Sequence, residues 1–145
     1  MINSFDIDGV IFFGQDLGGV YPGPHDIIIT GRSFEEKPET EAMLLSKGIK
    51  NEVFYNPLTF DQKTRITSGV HKGCVLLNLL NTGFKIGIHF EDDPIQIEQI
   101  IKIVPQIRIV HLVHNLVEKE NVRHFSVGTK NGKNISNIND NSNIS

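Results

Sequence analysis

Two carboxylates, Asp6 and Asp8, stand two residues apart just after the apolar Phe5, in the run Ser-Phe-Asp-Ile-Asp-Gly-Val. On an extended segment that spacing points both side chains to one face. Held so close, two carboxylates repel unless a cation lies between them or one keeps a proton. A hard, oxygen-seeking ion such as Mg2+ resolves the conflict, and Asp92 and Asp93, in Glu91-Asp92-Asp93-Pro94, are expected to complete its shell. Mg2+ keeps several waters and takes substrate phosphate as well, so a few protein oxygens suffice. A third polar group, Thr30-Gly31-Arg32-Ser33, follows the apolar Ile27-Ile28-Ile29. Each set alone has an ordinary reading: a turn, the acidic first turn of a helix, a strand-to-helix corner. Their placement after three apolar runs is what points to chemistry.

Those runs imply the elements that must carry the groups. Short β-branched stretches at 4–13, 26–30, 52–55, 85–90 and 107–113 have the length and composition of strands. Between them lie helical patterns. Residues 35–47 carry Ala42, Met43, Leu44 and Leu45, with Gly48 at the C-terminal end. In 64–82, Ile66, Val70, Cys74 and Leu77 fall on one face, which predicts a buried thiol at Cys74. In 94–104, Pro94 takes a first-turn position, Ile97, Ile100, Ile101 and Val104 form the stripe, and Pro105 ends it. Alternating strands and helices predict a three-layer αβα sandwich around a mostly parallel five-stranded sheet. In such sheets ligands bind beyond the carboxyl ends of the strands, where strand order reverses. No glycine-rich phosphate fingerprint of the dinucleotide or Walker type occurs.

At this point the chain resembles the haloacid-dehalogenase-like (HAD) hydrolases, over about residues 4–115. Their four ordered motifs look like Asp6-Ile7-Asp8-Gly9-Val10, Thr30-Gly31-Arg32, Lys72 within His71-Lys72-Gly73, and Glu91-Asp92-Asp93-Pro94. The resemblance implies a Mg2+-dependent phosphatase. Asp6 would be the nucleophile that forms an aspartyl-phosphate, and Asp8 the general acid and then base. Thr30 and the Gly31 amide would hold a phosphoryl oxygen, Lys72 would neutralise charge, and Arg32 would reach a substrate anion. Asp6, Asp8 through its main-chain oxygen, Asp92 and Asp93 would hold the metal. Lys63 competes with Lys72 for the third motif, and Glu91 could replace either aspartate at the ion. The stretch holding Gly14, Gly18, Gly19, Pro22, Gly23 and Pro24, and that between residues 56 and 71, are too short for a folded cap. A capless, open site leaves nucleotides, sugar phosphates and macromolecular phosphates as substrates. The alternative from a different class is a catalytically idle HAD-like module that binds or regulates a partner.

Composition bounds these readings. The chain has 145 residues, 17 acidic and 14 basic side chains and a net charge of −3, so it fits one domain and disfavours a nucleic-acid end as substrate. One cysteine excludes a disulfide framework. No apolar run spans a membrane and no secretory signal is recognisable, so a soluble, cytoplasmic protein is expected. His111 and His114, three apart on an expected strand, should point to opposite faces and not share a metal. Residues 1–125 are expected to form the domain. Residues 126–145, rich in Asn and Ser, are expected to be a flexible tail, and the Asn134 and Asn143 glycosylation triplets there carry no weight.

Overall fold

The computed structural model describes residues 1–14 and 18–119; the Asn/Ser-rich stretch 126–145, with Asn134 and Asn143, lies outside them. Strand β1 (Ile2–Phe5) leads through a long connection to β2 (Ile27–Ser33), a short 3-10 turn and helix α1 (Lys37–Ser46). Strand β3 (Val53–Asn56), helix α2 (Arg65–Asn81), strand β4 (Ile86–Glu91), helix α3 (Pro94–Ile103) and strand β5 (Arg108–His111) follow. The sheet runs β3-β2-β1-β4-β5, and every neighbouring pair is parallel. This is the α/β sandwich expected. No described helix is long and apolar enough to cross a membrane.

The strand order decides where a ligand can sit. After β1 the chain winds outward through β2 and β3, then returns to place β4 on the other side of β1. Connections therefore diverge between β1 and β4, and the crevice they leave lies at the carboxyl ends of those strands. Register brings the two ends level: Phe5 sits opposite Phe90, their rings stacked at 4.5 Å, and the Asp6 amide donates to the Phe90 carbonyl at 3.0 Å.

Alternation along the strands divides the core into two layers. Phe5 and Ile28 pack with Ile7, Val10, Ile11, Leu44 and Ile49 on the face that carries α1. Ile27 and Ile29 pack with Leu76, Ile100 and Val104 on the face that carries α2 and α3. Each fully buried isoleucine contributes about 1.5–3 kcal/mol relative to exposure.

Several sequence expectations change here. The first strand ends at Phe5 rather than running through 13, because the Ile7 carbonyl accepts from the amides of Val10, Ile11 and Phe12 at 2.9–3.1 Å and turns the chain back onto the sheet. β2 continues to Ser33, so Thr30 and Arg32 are strand residues instead of a corner. Most of the apolar stripe of α2 faces outward: Ile66 is 55% exposed, Val70 38%, and Cys74 is exposed instead of buried, while Leu77 packs against the core. The inward face is Ser68, Gly69, Lys72, Gly73 and Leu76. It is built for close approach to α3, where a Cβ on Gly69 would lie 2.9 Å from the Gln96 Cα and one on Gly73 2.9 Å from the Ile103 Cδ1. On α3 the buried positions are Gln96 and Ile100, followed by Val104 just past the helix, while Ile101 is 45% exposed.

Two outcomes follow for stability. Gly69→Ala gains about 1 kcal/mol of helix propensity but forces backbone of α2 and α3 apart, at a cost of about 1–3 kcal/mol. A melting temperature lowered by several degrees is expected; an unchanged or higher value contradicts the close packing. His71 is held neutral, because burial lowers its pKa while Nε2 donates to the Phe54 carbonyl at 3.2 Å. The unfolded chain takes up this proton more readily, so His71 contributes stability above its unfolded pKa that is lost as pH falls. The drop in melting temperature from about pH 7.5 to about pH 5.5 should be smaller in His71→Gln than in the parent protein, and an equal drop would remove His71 from the account.

Candidate active site

The carboxyl ends of β1 and β4 deliver Asp6, Glu91 and Asp92 to one place, with an oxygen from each lying within 4.8 Å of the others. All three are buried. α2 supplies their counter-charge. Lys72, with none of its surface exposed, donates from Nζ to Asp6 Oδ1 and to Glu91 Oε1, both at 2.8 Å. Behind them a buried chain of hydrogen bonds continues down the sheet: His89 Nε2 lies 3.1 Å from Glu91 Oε1, and His89 Nδ1 lies 2.7 Å from the Ser4 hydroxyl. Ser4 on β1 and Asp6 just past its end share a face by alternation with His89 and Glu91 on β4.

This packing sets the protonation pattern. Burial opposes charge on Lys72, but Asp6 and Glu91 outweigh it and hold the ammonium charged above its ordinary range. Burial likewise opposes ionised Glu91, yet Lys72 and the His89 bond hold it well below the usual carboxylate range. Asp6 is the group raised, by burial first and then by the charge of Glu91. His89 is kept neutral by burial. Asp6 Oδ2 is buried and has no hydrogen-bond donor among the described residues.

Asp8 lies in the turn after β1. Its carboxylate is clamped by Arg32 of β2, Nε to Oδ2 at 2.9 Å and the second nitrogen to Oδ1 at 2.7 Å. Arg32 is itself buried, and its remaining terminal nitrogen donates to the Thr40 hydroxyl at 3.0 Å. Three of its donors thus serve Asp8 and Thr40, so Arg32 orients Asp8 while also lining the cleft. Gly31 lines the cleft beside Ser68, whose Oγ would be 2.7 Å from a Cβ at that position. Thr30 is fully buried, with its hydroxyl accepting from the Arg32 amide at 3.0 Å.

Of the acidic run 91–93, Glu91 and Asp92 join the cluster. Asp93, expected at the ion, is drawn away: Arg65 binds both its oxygens at 2.7 and 3.0 Å, and it caps α3 by accepting from the Ile95 amide at 2.9 Å. Gly9 makes room for Asp92. Its φ is +91°, and a Cβ there would lie 1.8 Å from Asp92 Oδ2. Of the two candidate lysines, Lys72 is the one beside Asp6, whereas Lys63 pairs with Glu36 at 2.6 Å on the rim.

Two residues outside the expected set complete the site. His114 lies past the end of β5, where Nε2 donates to the Gly9 carbonyl at 2.8 Å and approaches Asp92 Oδ2 at 3.5 Å. His111 Nε2 contacts the Asp92 carbonyl at 3.1 Å, so both histidines frame the loop of Asp92 instead of diverging. Lys119 reaches back to the cluster: Nζ is 2.7 Å from Asp92 Oδ1 and 3.7 Å from Asp6 Oδ2, and donates to the Asp8 main-chain oxygen. The signal for both was available, since β5 ends at the same edge as β1 and β4. Residues following it arrive there too.

The cleft over these groups has a volume of about 50 Å3. Removing its buried cation should be costly. Lys72→Met leaves Asp6 and Glu91 facing each other, which typically destabilises by about 3–5 kcal/mol. Denaturant unfolding should show that loss, and Lys72→Met/Glu91→Gln should recover part of it; a loss below about 1 kcal/mol in the single variant would mean the triad carries no such strain. A scan against protein-family models and searches of curated proteins and of solved structures find no match to this chain.

Proposed function

We propose that this chain is a Mg2+-dependent phosphomonoesterase of the HAD type, in which Asp6 accepts the phosphoryl group. The observation that carries the reading is the Asp6 carboxylate at the crevice between β1 and β4: one oxygen is fixed by buried Lys72, and the other has no hydrogen-bond donor among the described residues, with Lys119 3.7 Å away. The cleft suits an anion, since Arg32, Lys63, Arg65, Lys72 and Lys119 line it against Asp6, Asp8 and Glu36. The donor set fits a hard divalent ion, with the unpartnered Asp6 Oδ2, the Asp92 carboxylate and the Asp8 main-chain oxygen as its ligands. Glu91 is a poorer ligand than its position implies, because Lys72 and His89 already occupy Oε1. When bound, Mg2+ would neutralise charge on the transferring phosphoryl oxygens.

The residues divide the chemistry as follows. A carboxylate oxygen of Asp6 attacks phosphorus, and the bond from phosphorus to the ester oxygen breaks. Asp8 gives its proton to that leaving oxygen, then takes one from the water that attacks the aspartyl-phosphate, releasing inorganic phosphate and free Asp6. Arg32 pairs with the ionised form of Asp8, the form that accepts the water proton. Delivery of a proton to the leaving group requires Asp8 to loosen from that clamp. Lys72 holds Asp6 in place and balances the added charge. Gly31 lines the cleft, whereas Thr30 is fully buried with its hydroxyl accepting from the Arg32 amide, so Gly31 is the one of this pair placed to meet a phosphoryl oxygen. A cleft with no cap among the described residues would take nucleotides, sugar phosphates or phosphorylated macromolecules.

The test is hydrolysis of a generic aryl phosphate with Mg2+ or with EDTA, alongside Asp6→Asn. Turnover that needs Mg2+ and falls by roughly a thousandfold or more in Asp6→Asn is the expected result. Turnover indifferent to EDTA or to the substitution would overturn the proposal. One observation favours the second reading, an idle binding module: Asp8, Asp6, Asp92 and Asp93 are each already paired with a basic side chain of the same molecule. Folded protein that binds no Mg2+ and cleaves none of a panel of phosphate esters would select it.

A further inference from the structure

Lys119 lies where a cation belongs. Its ammonium touches the three oxygens that best fit a divalent ion: Asp92 Oδ1 at 2.7 Å, Asp6 Oδ2 at 3.7 Å and the main-chain oxygen of Asp8. Those oxygens come from the ends of β1 and β4 and converge without it, because Lys72 fixes Asp6 and Gly9 admits Asp92. An ammonium and a divalent ion cannot both be seated on the same three oxygens, where they would overlap and repel strongly.

The segment that brings Lys119 here is anchored near its start. The Leu112 amide donates to the Glu91 carbonyl at 2.9 Å, and His114 donates to the Gly9 carbonyl at 2.8 Å. Between Asn115 and Lys119 the chain runs outside the sheet, with Leu116 57% exposed. Lys119 also lines the open cleft, so its side chain has a way out.

We infer that Lys119 is a tethered cation that holds the divalent-ion position, and that an entering ion must displace it. The inference rests on the reading of Asp6, Asp8 and Asp92 as a divalent-cation site. It makes metal loading a competition within one molecule: the apparent affinity for the ion is lowered by the fraction of molecules in which Lys119 is seated. It also supplies a charge that offsets the repulsion between the carboxylates when no ion is bound.

Two measurements on the full chain test this. In calorimetric titration with Mg2+, Lys119→Ala should bind about tenfold tighter than the parent protein or better, with circular dichroism confirming an unchanged fold. In the parent protein, acylation by an amine-reactive reagent, read by peptide mass spectrometry, should be several-fold faster at Lys119 when Mg2+ is present, with exposed Lys50 as the unchanged control. Equal or weaker Mg2+ binding by Lys119→Ala, or Lys119 reactivity indifferent to Mg2+, would overturn the inference. Tighter binding without any phosphatase turnover would keep the tethered cation and sink only the enzyme. No Mg2+ binding by either protein would overturn both.

Discussion

A lysine ammonium without any exposed surface has to be neutralised where it stands, and that requirement organises this molecule. Lys72 stands on the inward face of α2, and it is satisfied by Asp6 from the end of β1 and Glu91 from the end of β4, both at hydrogen-bonding distance. A buried pair of this kind contributes little net stability against an apolar alternative, because desolvation offsets the Coulomb gain. What it does fix is geometry. Losing either partner leaves a charge stranded, so α2, β1 and β4 must keep their register. The glycines at 69 and 73 serve the same end by letting α2 sit close on α3, which holds the helix over the strand ends.

From that constraint the electrostatics of the site follow. Glu91 is held ionised by Lys72 and His89, so the charge it adds falls on Asp6, which burial already makes the harder group to ionise. A carboxylate in that condition is poised to gain from a second cation. Lys119 fills that need in the molecule as it stands, and a divalent ion would fill it more strongly. Asp8 stands apart, held to β2 by Arg32 and to α1 through Thr40, so its orientation is set by a different part of the fold. The two acids that open the first motif therefore have separate supports, which suits separate roles.

Much of this was legible in the residues. Alternating apolar runs and helical stripes determine an α/β sandwich, and polar groups after Phe5, Ile29 and Phe90 locate the cleft at the strand ends. What periodicity could not tell was which face of α2 turns inward. Ile66, Val70, Cys74 and Leu77 make the more hydrophobic stripe, yet the buried face carries Gly69, Lys72 and Gly73, because close helix contact and an ion pair decide the orientation there. The acidic run at 91–93 divides by local chemistry: Asp93 precedes Pro94 and caps α3, leaving Asp92 for the cluster and Glu91 for Lys72. Position within a strand distinguishes Glu91 from its neighbours, and capping distinguishes Asp93. Lys119 lies furthest from the motifs in sequence, and only the return of the chain past β5 brings it near.

The central claim is that the carboxylate Lys72 holds in place is the group that takes phosphate. The most direct measurement is chemical trapping: brief exposure to a phosphoryl donor, reduction of any acyl phosphate with borohydride, and peptide mass spectrometry to locate the homoserine formed. The account predicts homoserine at position 6 and at no other aspartate. Reduction at Asp8 or Asp92 instead, or steady turnover of the donor with Asp6 never modified, would contradict it.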